Sequence, residues 1–137
     1  MAKKILALVS EPVSAEALRS AVGRERAETS EVMVVAPALN TRTRFWTSDV
    51  DEAIARANEV QQETVERMDE DGVDAVGDTG ESDPLLAIAD ALQTFPADEI
   101  VLFTHASSEV NWAERGLVDD ARERFELPVE HLVIERS

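Results

Sequence analysis

Ser107 and Ser108 stand two and three positions after His105, in the stretch FTHASSEVNWAERG that follows an apolar run. Hydroxyls near an imidazole are the material of nucleophilic catalysis, in which a base takes the proton from an attacking oxygen. Adjacency in sequence does not orient such groups, and the chain has no G-x-S-x-G turn to expose a serine at the top of a sheet. Capping of a following helix is the better use of both serines. The second histidine, His131, lies within an apolar segment, and neither histidine has neighbours at metal-ligand spacing, so no metal site is expected. There is no cysteine, which excludes disulfides, thiolate ligands and thiol nucleophiles. GDTGESD, residues 77–83, offers acidic oxygens that a divalent cation could use, but a loop ending in a helix cap needs no further role. No catalytic set emerges, and the chain is expected not to be an enzyme; weak nucleotide hydrolysis is the enzymatic alternative.

A second group of residues suits binding better than bond breaking. Arg42 and Arg44 could meet an anion, and Trp46 and Trp112 could stack on a planar group. The competing use of the tryptophans is packing, at the ends of the core or in a subunit contact. Which use prevails depends on the elements that carry these residues.

Those elements read as an alternation of strands and helices. Lys4 to Val9 is a short apolar run suited to a buried strand. SAEALRSAVG follows as a helix, with Ser14 as N-cap and Gly23 just past its end. EVMVVAP is a second strand stopped at Pro37, and the loop ALNTRTRFWTSD leads into the longest helix, from Val50 to Asp71. There Val50, Ile54, Ala57, Val65 and Met68 form the expected buried stripe, with the acids, Arg56 and Arg67 left to solvent and Gly72 as the stop. VDAVG is a third strand, less apolar and so expected near an edge, and GDTGESD is read as the loop after it. Pro84 then opens a helix packed through Leu85, Ile88, Ala89, Leu92 and Phe95. DEIVLFTH is the fourth strand, and Ala113, Leu117, Ala121 and Phe125 mark the last helix by their spacing. LPVEHLVIER closes the chain as a fifth strand.

This order predicts an α/β fold, a five-stranded parallel sheet with helices on both faces, over a single domain of 137 residues. Ligands of such sheets bind beyond the carboxyl ends of the strands, where the strand order reverses. The loops to search are therefore VSEPVS, PALNTRTRFW, GDTGESD and THASSEVNWAERG.

Charge narrows the partners. With 29 acidic against 13 basic residues the net charge is −16, which opposes binding to nucleic acid or to an anionic membrane surface. The apolar run Ile5 to Val9 is too short for a signal peptide, and no stretch nears the roughly 20 apolar residues of a membrane span. A cytoplasmic protein is expected.

Element order, chain length and several segments resemble the universal stress protein family, over essentially the whole chain. In that family a glycine-acid-proline type loop leads into the third helix and an Ala-Asp pair precedes the fourth strand. Asp83-Pro84, Ala97-Asp98 and the apolar Ile100 to Phe103 stand in the matching places. The resemblance implies a strand order of 3-2-1-4-5 in sequence numbering and a nucleotide loop after the fourth strand.

ATP-binding members carry G-x2-G-x9-G-[ST] in that loop. Laid on this chain, the pattern puts Phe103 and Ala106 at the first two glycines, Gly116 at the third and Leu117 at the hydroxyl position. Ser10 stands where the family tends to place an acid at the end of the first strand. Side chains at the first two glycine positions narrow a backbone cradle for phosphate, and Leu117 has no hydroxyl to donate. Asp119 and Asp120, in the first turn of a helix starting after Gly116, would repel a polyphosphate. A second reading has Asn111 and Glu114 as a capping box, with Gly116 inside the helix; the sequence leaves both open.

What the resemblance implies is a non-catalytic stress-response or signalling module that does not bind ATP in the family's usual way and has no cofactor. A homodimer paired through the C-terminal strand is expected, since that strand has the alternating pattern of an exposed edge. The alternative is a binder of ATP, AMP or another small anion, in a cleft formed by Ser10, Arg42, Arg44, His105, Ser107, Ser108 and Gly116.

Overall fold

The structure, a computed structural model, describes residues 3–9, 12–37, 50–80, 84–105 and 117–134. Strands and helices alternate through them: β1 (Lys4–Leu8), α1 (Ala15–Val22), α2 (Arg24–Thr29), β2 (Glu31–Pro37), α3 (Val50–Glu70), β3 (Asp74–Gly80), α4 (Pro84–Thr94), β4 (Glu99–His105), α5 (Leu117–Arg124) and β5 (Val129–Ile134). The strands form one sheet in the order β3-β2-β1-β4-β5, and every pairing is parallel. The expected fold class and strand order are both found.

Apolar side chains alternate across this sheet and feed two separate cores. Ile5, Ala7 and Val9 of the first strand join Val32, Val34, Ala36, Val101 and Phe103 on one face, under α1, α2 and α3. Leu6 and Leu8 join Val35, Ile100, Leu102 and Val129 on the other, under α4 and α5. Because both faces are covered, the central strands carry apolar residues on both sides, which is why residues 5–9, 32–36 and 100–103 read as unbroken runs.

Local signals set the ends of the helices. Ser14 caps α1 by accepting from the Ala17 amide at 3.2 Å. Gly23, at φ +94°, closes that helix with its amide on Arg19 O at 2.8 Å. The six-residue α2 follows at once, and the sequence reading did not contain it; Ala27 is its one buried residue, too little for a periodic stripe. Arg19 fastens this corner, donating to Glu28 at 3.1 Å, to Glu16 at 3.4 Å and to Asp71 O at 2.7 Å. At the amino edge of the sheet Arg26 pairs with the buried carboxylate of Glu99, and the Lys4 amide donates to Asp98 at 2.9 Å.

Two expectations need correction. The buried stripe of α3 is Ala57, Val60, Gln61, Thr64 and Met68, with Val65 partly buried, whereas Ile54 is 46% exposed. Ala57 and Met68 are buried as expected, and two polar residues join them where Ile54 does not, each held by a specific contact. Thr64 accepts from the Val13 amide at 3.1 Å, and Gln61 donates to Asn58 at 2.8 Å while lying over Gly77. The second correction concerns β3, which runs on past Gly77 through residues 78–80, read as loop from their glycine and acid content. Regular pairing with β2, up to Pro37↔Gly80, outweighs that composition. The expected edge position of this strand holds.

Gly77 is required by the approach of α3. A Cβ at this position would lie 1.7 Å from Gln61 Oε1 and 3.0 Å from Val65 Cγ2. Gly77→Ala is expected to lower unfolding free energy by about 1–3 kcal/mol, measured by urea denaturation, and Gln61→Ala in the same chain should restore part of the loss.

His131 gives the fold a pH dependence. Burial, and then the positive charge of Arg122, hold its pKa below the usual 6.5. The unfolded chain therefore binds the proton more readily than the folded one, and the sign follows from linkage. Stability is expected to be unaffected by this group above about pH 6.5 and to fall as pH drops from there towards the lowered folded-state value. Thermal melts between neutral pH and mild acid should show this slope flattened in His131→Gln.

Candidate functional site

The order β3-β2-β1-β4-β5 places a reversal between β1 and β4. From β1 the chain winds outward to β2 and β3, then crosses back to β4 and outward again to β5. The connections leaving β1 and β4 consequently go to opposite faces: α1 packs with the first core, and α5, through Ala121, with the second. A crevice opens between the carboxyl ends of such strands, and it is the place in this fold where backbone groups and loop side chains converge.

The described residues around the crevice are tightly fixed. Val9 prolongs the first strand by donating to Val35 O at 3.0 Å, and it is fully buried. Val13, at the entry to α1, is held by Thr64 of α3. His105 is the last residue of β4, opposite Ile134 in β5, and α5 begins at Leu117.

Of the candidate residues, only His105 lies among the described ones, and there its backbone position alone is described. Ser10, Arg42, Arg44, Ser107, Ser108 and Gly116 lie outside them, as do Asn111 and Glu114 of the alternative helix start. In the sequence the segments they belong to follow β1, β2 and β4.

Phe103 has a definite place. The position aligned with the first glycine of the phosphate loop is 0% exposed, in the first core, and is paired in the sheet with Leu132. The fourth strand continues for two residues beyond it. What a sequence alignment treats as the start of a loop is here an interior strand position.

Charge at the two edges of the sheet differs. Helices that follow parallel strands start at the carboxyl edge and end at the amino edge, and the last turns of α1, α3 and α5 carry Arg19, Arg67, Arg122 and Arg124. Lys4 and Arg26 belong to the amino edge as well. Arg56 lies nearer the start of its helix, in the second turn of α3. At the carboxyl edge the first turn of α1 carries Glu16, and that of α5 carries the exposed Asp119 and Asp120. The starts of α1 and α5 thus already face acids of their own first turns. An anion bound in the crevice would need cations from outside the described residues, and Arg42 and Arg44 are the candidates. Among the described residues no three His, Cys, Asp or Glu come together as a metal site.

Sequence reasoning missed Thr64, the residue that ties the entry of α1 to α3. Its signal was present, since Ala57, Val60, Gln61, Thr64 and Met68 recur at i, i+3, i+4, i+7 and i+11. The hydroxyl and amide hid it from a search for apolar residues.

No protein-family profile and no curated protein matches the chain. Solved structures do match. A universal stress protein family protein from Arabidopsis thaliana, with AMP bound, superposes with a TM-score of 0.66 at 13% identity, covering 98% of this chain and 92% of that one. A universal stress protein from Archaeoglobus fulgidus gives 0.65 at 21% identity, with 96% and 98% covered. A universal stress protein in complex with cAMP gives 0.60 at 16% identity, with 98% of both chains covered. Likeness at this level of identity establishes architecture, and the chain has the fold of the universal stress proteins.

Proposed function

We propose that the chain is a non-catalytic, cytoplasmic stress-response or signalling module of the universal stress protein type that does not hold ATP in a glycine-lined cradle. The observation that carries this reading is the burial of Phe103 within the core. At the aligned position a glycine would let backbone amides approach a phosphate oxygen; here a phenyl ring fills the interior and the chain is still engaged as strand. Asp119 and Asp120 support the same reading, because they stand at the helix start that a polyphosphate would need. Calorimetry with ATP and magnesium at millimolar ligand, at moderate salt, is expected to give no binding heat and no thermal shift. Saturable heat with ATP would overturn the reading.

A second reading is favoured by the AMP and cAMP bound to two of the similar structures. In it the crevice between β1 and β4 takes an adenine mononucleotide, with Arg42 or Arg44 meeting the phosphate and Ser107 or Ser108 and the backbone near Gly116 completing the contact. The same titration with AMP and cAMP separates the two readings.

The module works as a homodimer paired through β5. This strand ends the sheet, and Val133 is 50% exposed on it. Antiparallel self-pairing centred on His131 or on Leu132 brings no two acids of the strand opposite each other, so an apolar edge can be covered without repulsion. Light scattering at micromolar concentration is expected to give twice the 15.0 kDa chain mass, and Val133→Lys to reduce it. A monomeric mass for the unmodified chain would count against the dimer.

A further inference from the structure

The opposite end of the sheet has a different chemistry. β3 pairs with β2 and with no other described strand. Its pairing runs without a bulge from Glu31↔Asp74 to Pro37↔Gly80. One face lies against α3, with Ala75 buried and Gly77 beneath Gln61. The other face presents Asp74, Val76 and Asp78, all exposed, Val76 to 52%.

Edge strands usually carry a device against further pairing, such as a lysine, a proline or a bulge. β3 has none of these. Two of its amides are satisfied by carboxylates, Ala75 N by Asp69 at 3.4 Å and Thr79 N by Asp78 at 2.9 Å. Amides on one side of a strand recur every second residue, so that of Gly77 lies between them on the same side. Among the described residues the open part of the edge is therefore centred on Gly77, below an acid-apolar-acid row.

A second copy of this chain is a poor occupant. The antiparallel register that sets Val76 against Val76 places Asp74 opposite Asp78 twice, and like charges directly opposite destabilise a pair. Two chains of net charge −16 also repel at a distance. The row that repels another copy is complementary to basic-apolar-basic alternation. We propose that the edge of β3 docks an extended cationic segment of another protein as an added strand, with Lys or Arg beside Asp74 and Asp78 and an apolar side chain on Val76.

A fluorescent peptide repeating lysine-threonine-valine-threonine, which sets lysine and valine in turn on one face of a strand, tests this by anisotropy at near-physiological ionic strength. The control has the same charge with prolines in place of the central valines, which prevents ladder pairing. The folded chain is expected to bind the alternating peptide, and Asp74→Asn/Asp78→Asn, with folding checked by circular dichroism, to weaken it roughly tenfold. Val76→Lys should weaken it as well. Equal binding of the proline peptide would reduce the effect to general attraction by an acidic protein and overturn the proposal. Unchanged affinity in the double variant, or no binding of the alternating peptide, would overturn it too. A doubled mass appearing in Asp74→Asn/Asp78→Asn alone would identify a second copy as the occupant, against the proposal.

Discussion

The parallel pairing of β1 with β4 is the constraint on which the rest of the structure depends. Ile5↔Glu99 to Leu8↔Leu102 align two strands whose apolar side chains are fully buried in alternation on both faces. Neither strand can be solvated on either side, so each face must acquire helices, and short right-handed crossovers supply them. That one pairing joins the two cores, and it is also the point where the strand order reverses. Stability and the location of the crevice therefore have the same origin, which is why the amino end of this pair is reinforced. Asp98 binds the Lys4 amide there, and the buried carboxylate of Glu99 is compensated by Arg26. A buried carboxylate without its partner is costly, so this pair helps to hold α2 against the amino end of β4.

Much of the fold was legible because its signals are local and redundant. Ser14 and Gly23 bracket α1, Pro37 ends β2, and unbroken apolar runs mark the central strands. The sequence failed where a residue's role is set by a distant neighbour. Ile54 fits the period of α3 but is 46% exposed, while Thr64 and Gln61 break the apolar pattern and are buried against Val13 and Gly77. The segment 78–80 has loop composition and strand structure because β2 offers a ladder along its length. The α2 helix has too short a run to show a period.

In the sequence Ser10, Arg42, Arg44 and the segment to Gly116 follow β1, β2 and β4, and of the candidate residues His105 alone is described, by its backbone. Phe103 shows how alignment and packing differ: the spacing to Gly116 retains the outline of a phosphate loop, while burial assigns its first position to the core. The segregation of cations to the amino edge could not be seen from composition, because a net charge gives no direction. It emerges once the helices are known to run against the strands, which brings the basic last turns of α1, α3 and α5 to one edge.

Gln61 and Thr64 have a joint consequence. They are three residues apart on one face of α3, the first seated on Gly77 and the second holding the amide of Val13. A helix of 21 residues is stiff over that distance. The segment leading into α1 and the outermost strand of the sheet therefore rest on a single rod, and α3 cannot slide along its axis without disturbing both.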